Sequence, residues 1–153
     1  VHNRQGNDEL ALIFESQPNC IDDVCIDINR VKRVLRNLFL NALNNTKSGY
    51  IKIGYRLSDG IITFYVLDSG NSFQKNTELL NSEDLNGTIR KYDDISAVIN
   101  LTVSKKLVNI MGGKIWIESN EVSGSGLYFS IPVKKSESSC VLINKYNNNR
   151  III

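Results

Sequence analysis

Hydrophobic and polar positions follow two periods along this chain, and the switches between them mark out its elements. Between Asp27 and Thr46, the apolar residues Val31, Val34, Leu35, Leu38 and Ala42 recur at helical spacing, and Phe39 and Leu43 widen the stripe. This stretch holds no Gly or Pro, Asp27 is a good N-cap, and Ser48-Gly49 is a stop signal. A second helical pattern runs from Ser96 to Met111. It sets Val98, Leu101, Val108 and Met111 on one stripe, with Ile99, Val103, Leu107 and Ile110 beside it, and ends at Gly112-Gly113. Alternating runs predict strands elsewhere. Tyr50–Leu57 and Ile61–Leu67 flank the turn signal Ser58-Asp59-Gly60, while Lys114–Glu118 and Leu127–Ile131 flank Ser123-Gly124-Ser125-Gly126, so each pair reads as a hairpin. Short apolar runs at Leu10–Phe14 and Val24–Ile26 read as two further strands. From Asn71 to Asp94 the pattern dissolves, apart from one helical turn around Glu78–Leu80. A loop of that length in a compact domain is functional or mobile, and its place beside the end of the first helix suits a lid.

The order is strand, helix, hairpin, long loop, helix, hairpin. It predicts an α+β fold: a two-layer α/β sandwich whose mixed, mainly antiparallel sheet is covered by helices on one face and partly exposed on the other. The 153 residues suffice for one domain, expected over 1–135, with the Ser- and Asn-rich 136–153 as a tail or linker, or as an extra edge strand. The chain starts without Met and ends on Arg150-Ile151-Ile152-Ile153, which suggests a piece excised from a longer protein.

Composition narrows the function classes. A hydrophobic content of 42% with 22% charged residues is that of a soluble globular protein. A net charge of +2 gives no argument for nucleic acid, so Arg30, Lys32, Arg33 and Arg36 read as the solvated side of the first helix. No apolar run is long enough to span a bilayer and no signal peptide opens the chain, so a cytoplasmic domain without direct membrane contact is expected. Cys20, Cys25 and Cys140 are odd in number and lack zinc-ligand spacing; they read as reduced thiols.

The first helix raises a chemical question. Asn37 and Asn41 are four residues apart and Asn44 follows three later, so their amides project in one direction. Asn is a mediocre helix former, so three on one face ask for a reason. A site where amide oxygens meet a hard cation such as magnesium is one reason, and a solvated polar face is the other.

Four local patterns, in this order, resemble the catalytic ATP-binding domain of sensor histidine kinases, within the wider ATPase group of gyrase, Hsp90 and MutL. They are Asp27-x-x-Arg30-Val31-x-x-Val34-Leu35-x-Asn37-Leu38-x-x-Asn41-Ala42; Asp68-Ser69-Gly70; Leu107-Val108-x-x-Met111-Gly112-Gly113-x-Ile115-x-Ile117-x-Ser119; and Gly124-Ser125-x-x-x-Phe129-x-Ile131-Pro132. Each alone is weak, but their joint order makes chance agreement unexpected. The resemblance implies a Bergerat-type ATPase fold that holds ATP and Mg2+ while a separate upstream domain presents a histidine for phosphorylation. It implies that Asn41 coordinates the magnesium bridging the phosphates, with Asn37 facing the same pocket. Asp68 would accept a hydrogen bond from the adenine amino group, with Gly70 allowing close approach of the base and Ser125 placing a hydroxyl nearby. A plain turn and a plain hairpin residue are the alternatives for these three. The implied partners are an upstream dimerisation and phosphoacceptor helical domain and a response regulator. The piece itself would be monomeric within a homodimeric parent, which the bacterial inner membrane can anchor.

Departures from the family pattern lie on the phosphate side. Asn71-Ser72 stands where a second glycine is expected, and Ser96, Val98 and Asn100 fall where three glycines of a phosphate-cradling turn belong. Valine tolerates positive φ badly, so that turn cannot have its usual geometry. Asn44 replaces a phosphate-contacting Lys, which removes a positive charge. The alternative function is therefore a degenerate pseudo-ATPase module for docking or signal relay without ATP turnover. Lys105 and Lys106 read as solvated surface, and His2 as an exposed terminal residue rather than a phosphoacceptor.

Overall fold

A computed structural model of the chain describes residues 9–17, 24–70, 73–83, 91, 94–120 and 124–135. His2, Asn71-Ser72 and the 136–153 tail lie outside the described residues. The elements in chain order are β1 (Leu10–Glu15), β2 (Val24–Cys25), α1 (Ile28–Asn45), β3 (Gly49–Ser58) and β4 (Ile61–Asp68). They continue as α2 (Phe73–Asn81), α3 (Ile95–Ile110), β5 (Lys114–Asn120), β6 (Gly124–Pro132) and β7 (Lys134–Lys135).

Helix α1 starts where the capping residue dictates: the Asp27 carboxyl accepts from the Arg30 backbone N–H at 3.0 Å. Its stripe of Val31, Val34, Leu35, Leu38 and Ala42 is at most 1% exposed. Phe39 packs at the margin of this core, whereas Leu43 is 40% exposed, so the stripe narrows toward the C-terminus. Arg30, Lys32, Arg33 and Arg36 are exposed. Helix α3 is capped by Asp94, whose carboxyl accepts from Ala97 N–H at 3.0 Å. It ends as Gly112 and Gly113 donate back to the carbonyls of Asn109 and Val108.

The five strands of the main sheet run in the order β1-β3-β4-β6-β5. Both hairpins pair antiparallel, and β1 lies parallel to β3, which makes the sheet mixed. A parallel neighbour needs a crossover, and α1 supplies it. Asp59 and Gly60 both have positive φ in the β3–β4 turn, the geometry that follows the twist of the flanking strands. Ile51, Ile53, Ile62, Phe64, Val66, Leu127, Phe129 and Ile131 turn inward to meet the helices, with Phe64 stacked on Phe129 at 5.0 Å.

Two elements differ from the sequence reading. The stretch after Asn71 contains a nine-residue helix, α2, where one turn was expected. It buries Leu79 and Leu80, and the Lys105 ammonium donates to the Leu80 carbonyl at 2.7 Å. Lys105 is therefore tied to the end of α2 rather than solvated, while Lys106 is exposed. Second, β2 and β7 form a separate two-stranded sheet, and Cys25 within it is disulfide-bonded. The reading of three reduced thiols is corrected: an odd count is also that of one pair and one remaining cysteine.

The outer face of the sheet is paved by aromatics. Trp116 stacks on Tyr128 at 5.6 Å, Tyr128 meets Tyr65 at 5.9 Å, and the Arg56 guanidinium sits 5.5 Å from the Tyr65 ring centre. Tyr65 can lie across β3 because the facing residue is Gly54, where a Cβ would come within 2.3 Å of the phenol oxygen. The Tyr65 hydroxyl donates to Glu15 at 2.8 Å, and Lys52 pairs with the same carboxylate at 2.9 Å. The Lys52 ammonium, followed by that hydroxyl, holds the Glu15 carboxyl below its ordinary range.

Burial, aided by Glu15, pushes the Tyr65 phenol up to about 12 from 10.0. Between these values the unfolded chain has released its proton and the folded chain has not, so stability falls as pH rises from 10 toward 12. Urea midpoints measured at pH 8 and pH 11 should therefore drop more for the unsubstituted chain than for Tyr65→Phe. Equal drops would show that this phenol does not contribute.

Candidate functional site

Polar side chains enter the helix–sheet interface at two places, both served by α1. The first is the end of β4. Asp68 is 2% exposed. Its Oδ1 accepts from Thr46 Oγ1 at 3.1 Å and from Gly70 N–H at 2.9 Å, and its Oδ2 accepts from Ser125 Oγ at 3.3 Å. The register brings this about, since Asp68 lies opposite Ser125 in the β4–β6 ladder. Thr46 arrives as the C-cap of α1. Gly70 is required here by space: a Cβ would stand 2.5 Å from the Asn45 carbonyl oxygen and 2.9 Å from Asp68 Oδ1. Such a carboxyl would be costly to bury without donors, and the nest supplies them.

The second place lies between α1, α2 and α3. Asn37 and Asn41 adjoin the apolar stripe and are 8% and 1% exposed, so they are not part of a solvated face. Asn37 Nδ2 donates to Ser104 Oγ at 3.1 Å and to the Asn100 carbonyl at 3.3 Å. Asn41 Nδ2 donates to Asn76 Oδ1 on α2 at 3.1 Å. Asn44 is exposed on the last turn of α1, and its neighbour Asn45 donates to the Asn41 backbone carbonyl at 2.6 Å. The structure therefore groups Asn37, Asn41 and Asn100 in one polar cluster and Asp68, Gly70 and Ser125 in the other, with Asn44 at the rim.

Sequence reasoning missed Thr46, Asn76 and Ser104. Ser104 was visible as a polar residue between Leu101 and Val108 on the buried stripe of α3. Asn76 stands three and four residues before Leu79 and Leu80, a helical spacing hidden in a stretch without an evident pattern. Thr46, a β-branched residue just past the Asn row, gave no signal distinguishing it from an ordinary helix end.

Among the described residues, no three of His, Cys, Asp and Glu cluster as metal ligands. The donor chemistry nevertheless fits magnesium at one point. Asn41 Oδ1 meets a long contact of 3.5 Å from Asn45 Nδ2, and magnesium commonly takes few protein oxygens, with phosphates and waters completing its shell.

At the start of α3 the structure departs from a glycine turn. Ser96, Val98 and Asn100 are helical, and Val98 is 1% exposed within the core.

An α+β sandwich whose mixed five-stranded sheet is covered by helices is the fold of a histidine kinase catalytic domain. The family model described as histidine kinase-, DNA gyrase B-, and HSP90-like ATPase matches residues 26–135, and the chain belongs to this family. It is 30% identical over 141 residues to histidine protein kinase 1 of Candida albicans, which covers 87% of this chain and 6% of that protein. It is 33% identical over 134 residues to hybrid signal transduction histidine kinase B of Dictyostelium discoideum, covering 80% of this chain and 7% of that one. The chain thus spans less than a tenth of either relative. The nucleotide-free catalytic domain of histidine kinase ThkA superposes with a TM-score of 0.62 at 26% identity, over 80% of this chain and 78% of that one. Full-length ShkA in complex with AMPPNP shares the fold, with a TM-score of 0.63 at 19% identity, over 83% and 26% of the two chains.

The hydrogen bonds of Asp68 set an asymmetry that can be measured. In Asp68→Asn, the amide oxygen can keep the Thr46 and Gly70 donors while the Ser125 hydroxyl turns to accept, so stability should change by less than about 1 kcal/mol. Asp68→Leu removes the acceptor that the Thr46, Gly70 and Ser125 donors share and should cost at least about 2 kcal/mol in urea unfolding. Equal losses in the two variants would contradict this account of the nest.

Proposed function

We propose that this domain binds ATP with magnesium and serves as the catalytic part of a histidine kinase. A helical domain upstream in the parent dimerises the protein and presents the histidine, from which the phosphoryl group passes to a response regulator. The observation that carries this reading is the pairing, against one helix, of the interior Asp68 carboxyl with the buried Asn37–Asn41 amide row. Asp68 takes the adenine amino group, with Gly70 and Ser125 shaping that end. Asn41 offers its oxygen to magnesium, Asn37 and Asn100 line the same side, and Asn44 gives the phosphates a neutral polar contact. The chemistry asked of the protein is positioning and charge neutralisation, since phosphoryl transfer needs little covalent participation.

Val98 supports the second reading, a degenerate module that docks or relays a signal without ATP turnover. A helix beginning at Ile95 stands where the relatives' glycine turn would cradle phosphates, and its first turn is already capped by the Asp94 carboxyl. A capped N-terminus offers an anion fewer free N–H groups, and the nearby carboxylate repels it.

Isothermal calorimetry with a non-hydrolysable ATP analogue and excess magnesium separates the two. Saturable heat below millimolar nucleotide, weakened at least about tenfold in Asn41→Ala, is expected for the first reading. No heat at millimolar nucleotide would remove it and leave the relay module.

A further inference from the structure

A side-chain amide has two chemically opposite ends of nearly the same size, an acceptor oxygen and a donor nitrogen. Only the oxygen can meet a cation, so an amide ligand works only if something decides which end faces the site. In Asn41 the nitrogen is held. Its Nδ2 donates to Asn76 Oδ1 at 3.1 Å, and both residues are 1% exposed, where a hydrogen bond is not easily exchanged for water. Among the described residues the oxygen is lightly engaged, meeting a 3.5 Å contact from Asn45, whose amide makes its short bond to the Asn41 backbone at 2.6 Å.

Asn76 can act as a fixed reference because α2 is anchored by other contacts. Leu79 and Leu80 are buried in the core, Lys105 donates to the Leu80 carbonyl at 2.7 Å, and Lys75 pairs with Asp94 at 3.6 Å. These contacts tie α2 to α3 on one side while Asn76 reaches α1 on the other. The acceptor that meets Asn41 therefore comes from an element whose placement does not depend on Asn41.

We propose that Asn76 is a positioning residue for the cation: by taking the Asn41 N–H, it turns the Asn41 oxygen toward bound magnesium-nucleotide. This rests on the nucleotide reading given above and adds to it the residue that orients the ligand. Asn76 itself does not touch the metal. A purely structural role would be different in kind, since it would affect nucleotide binding with and without magnesium alike.

The test titrates the whole chain with an ATP analogue twice, once in EDTA and once in excess Mg2+, and takes the ratio of the two affinities. Asn76→Leu removes the acceptor and should lower this ratio by roughly 10- to 100-fold, the range seen when the partner of a metal ligand is lost. Its affinity in EDTA should match that of the unsubstituted chain. Asn76→Asp keeps an acceptor for the Asn41 N–H and should retain the ratio. In an Asn41→Asp background, both ends of residue 41 are oxygens, so adding Asn76→Leu should leave the ratio unchanged. An unaltered ratio in Asn76→Leu overturns the positioning role while leaving nucleotide binding intact, as does an equal fall in both titrations. Absence of binding by the unsubstituted chain in both conditions removes the nucleotide reading and this proposal with it. If Asn76→Leu does not fold, NMR of the unsubstituted chain decides the matter. The Asn41 Nδ2 protons should stay protected from exchange when magnesium-nucleotide is added, and loss of protection would mean that the pair breaks on binding, contrary to the proposal.

Discussion

Asn37 and Asn41 go into the interior with their amides intact, and each unpartnered amide there would cost about 1–3 kcal/mol. Helix α1 can lie against the sheet only if α2 and α3 bring acceptors to it. Asn76 comes from α2, and Ser104 and the Asn100 carbonyl come from α3. The packing of the helical layer is thus tied to a polar requirement as well as an apolar one. The stripe of Val34, Leu35 and Leu38 would tolerate some sliding of one helix along another, since dispersion contacts are many and non-directional. Hydrogen bonds of about 3 Å between named atoms do not, and they fix the register of the three helices.

The Asp68 nest applies the same constraint at the sheet. Its donors come from the end of α1, from the backbone just after β4, and from β6. One buried carboxyl therefore joins both layers of the sandwich at the end where the proposed base would bind. The two clusters together explain how a site can be stable before any ligand arrives: the described buried side-chain polar atoms all have partners within the protein. The cost of removing Asp68, Asn37 and Asn41 from water is met within the fold, so the site does not need a ligand to hold its shape.

Most of the architecture was legible because its signals are local. The Asp27 cap, the Asp59-Gly60 turn, the Gly112-Gly113 stop and the first alternating pair all act over a few residues and appear where they were expected. The second pair is longer than read: Gly124-Ser125-Gly126, taken for its turn, opens β6 opposite Glu118–Asn120. Asn37, Asn41 and Asp68 were legible as misfits, polar residues on a helix face or at the end of an apolar strand. What escaped depends on distant partners. Helix α2 is short, below the length at which an isolated helix is stable in water, and it is held by tertiary contacts: Leu79 and Leu80 in the core, Lys105 at the Leu80 carbonyl, and Lys75 at Asp94. Ser104 and Asn76 take on meaning only once they are seen to face α1. The disulfide of Cys25 escaped for a related reason, because the count and spacing of cysteines do not say which pairs are brought together.

Strand β1 carries a consequence of another kind. The two hairpins close over short connections, whereas β1 reaches β3 only across the whole of β2 and α1. Loop-closure entropy has to be met before the parallel ladder returns any hydrogen bonds. The strand also contributes little core, with Leu12, Ile13 and Phe14 at 50%, 39% and 63% exposed. Strand β1 is therefore an edge held by its parallel ladder to β3 more than by burial, the kind of element that opens locally before the rest of the sheet does.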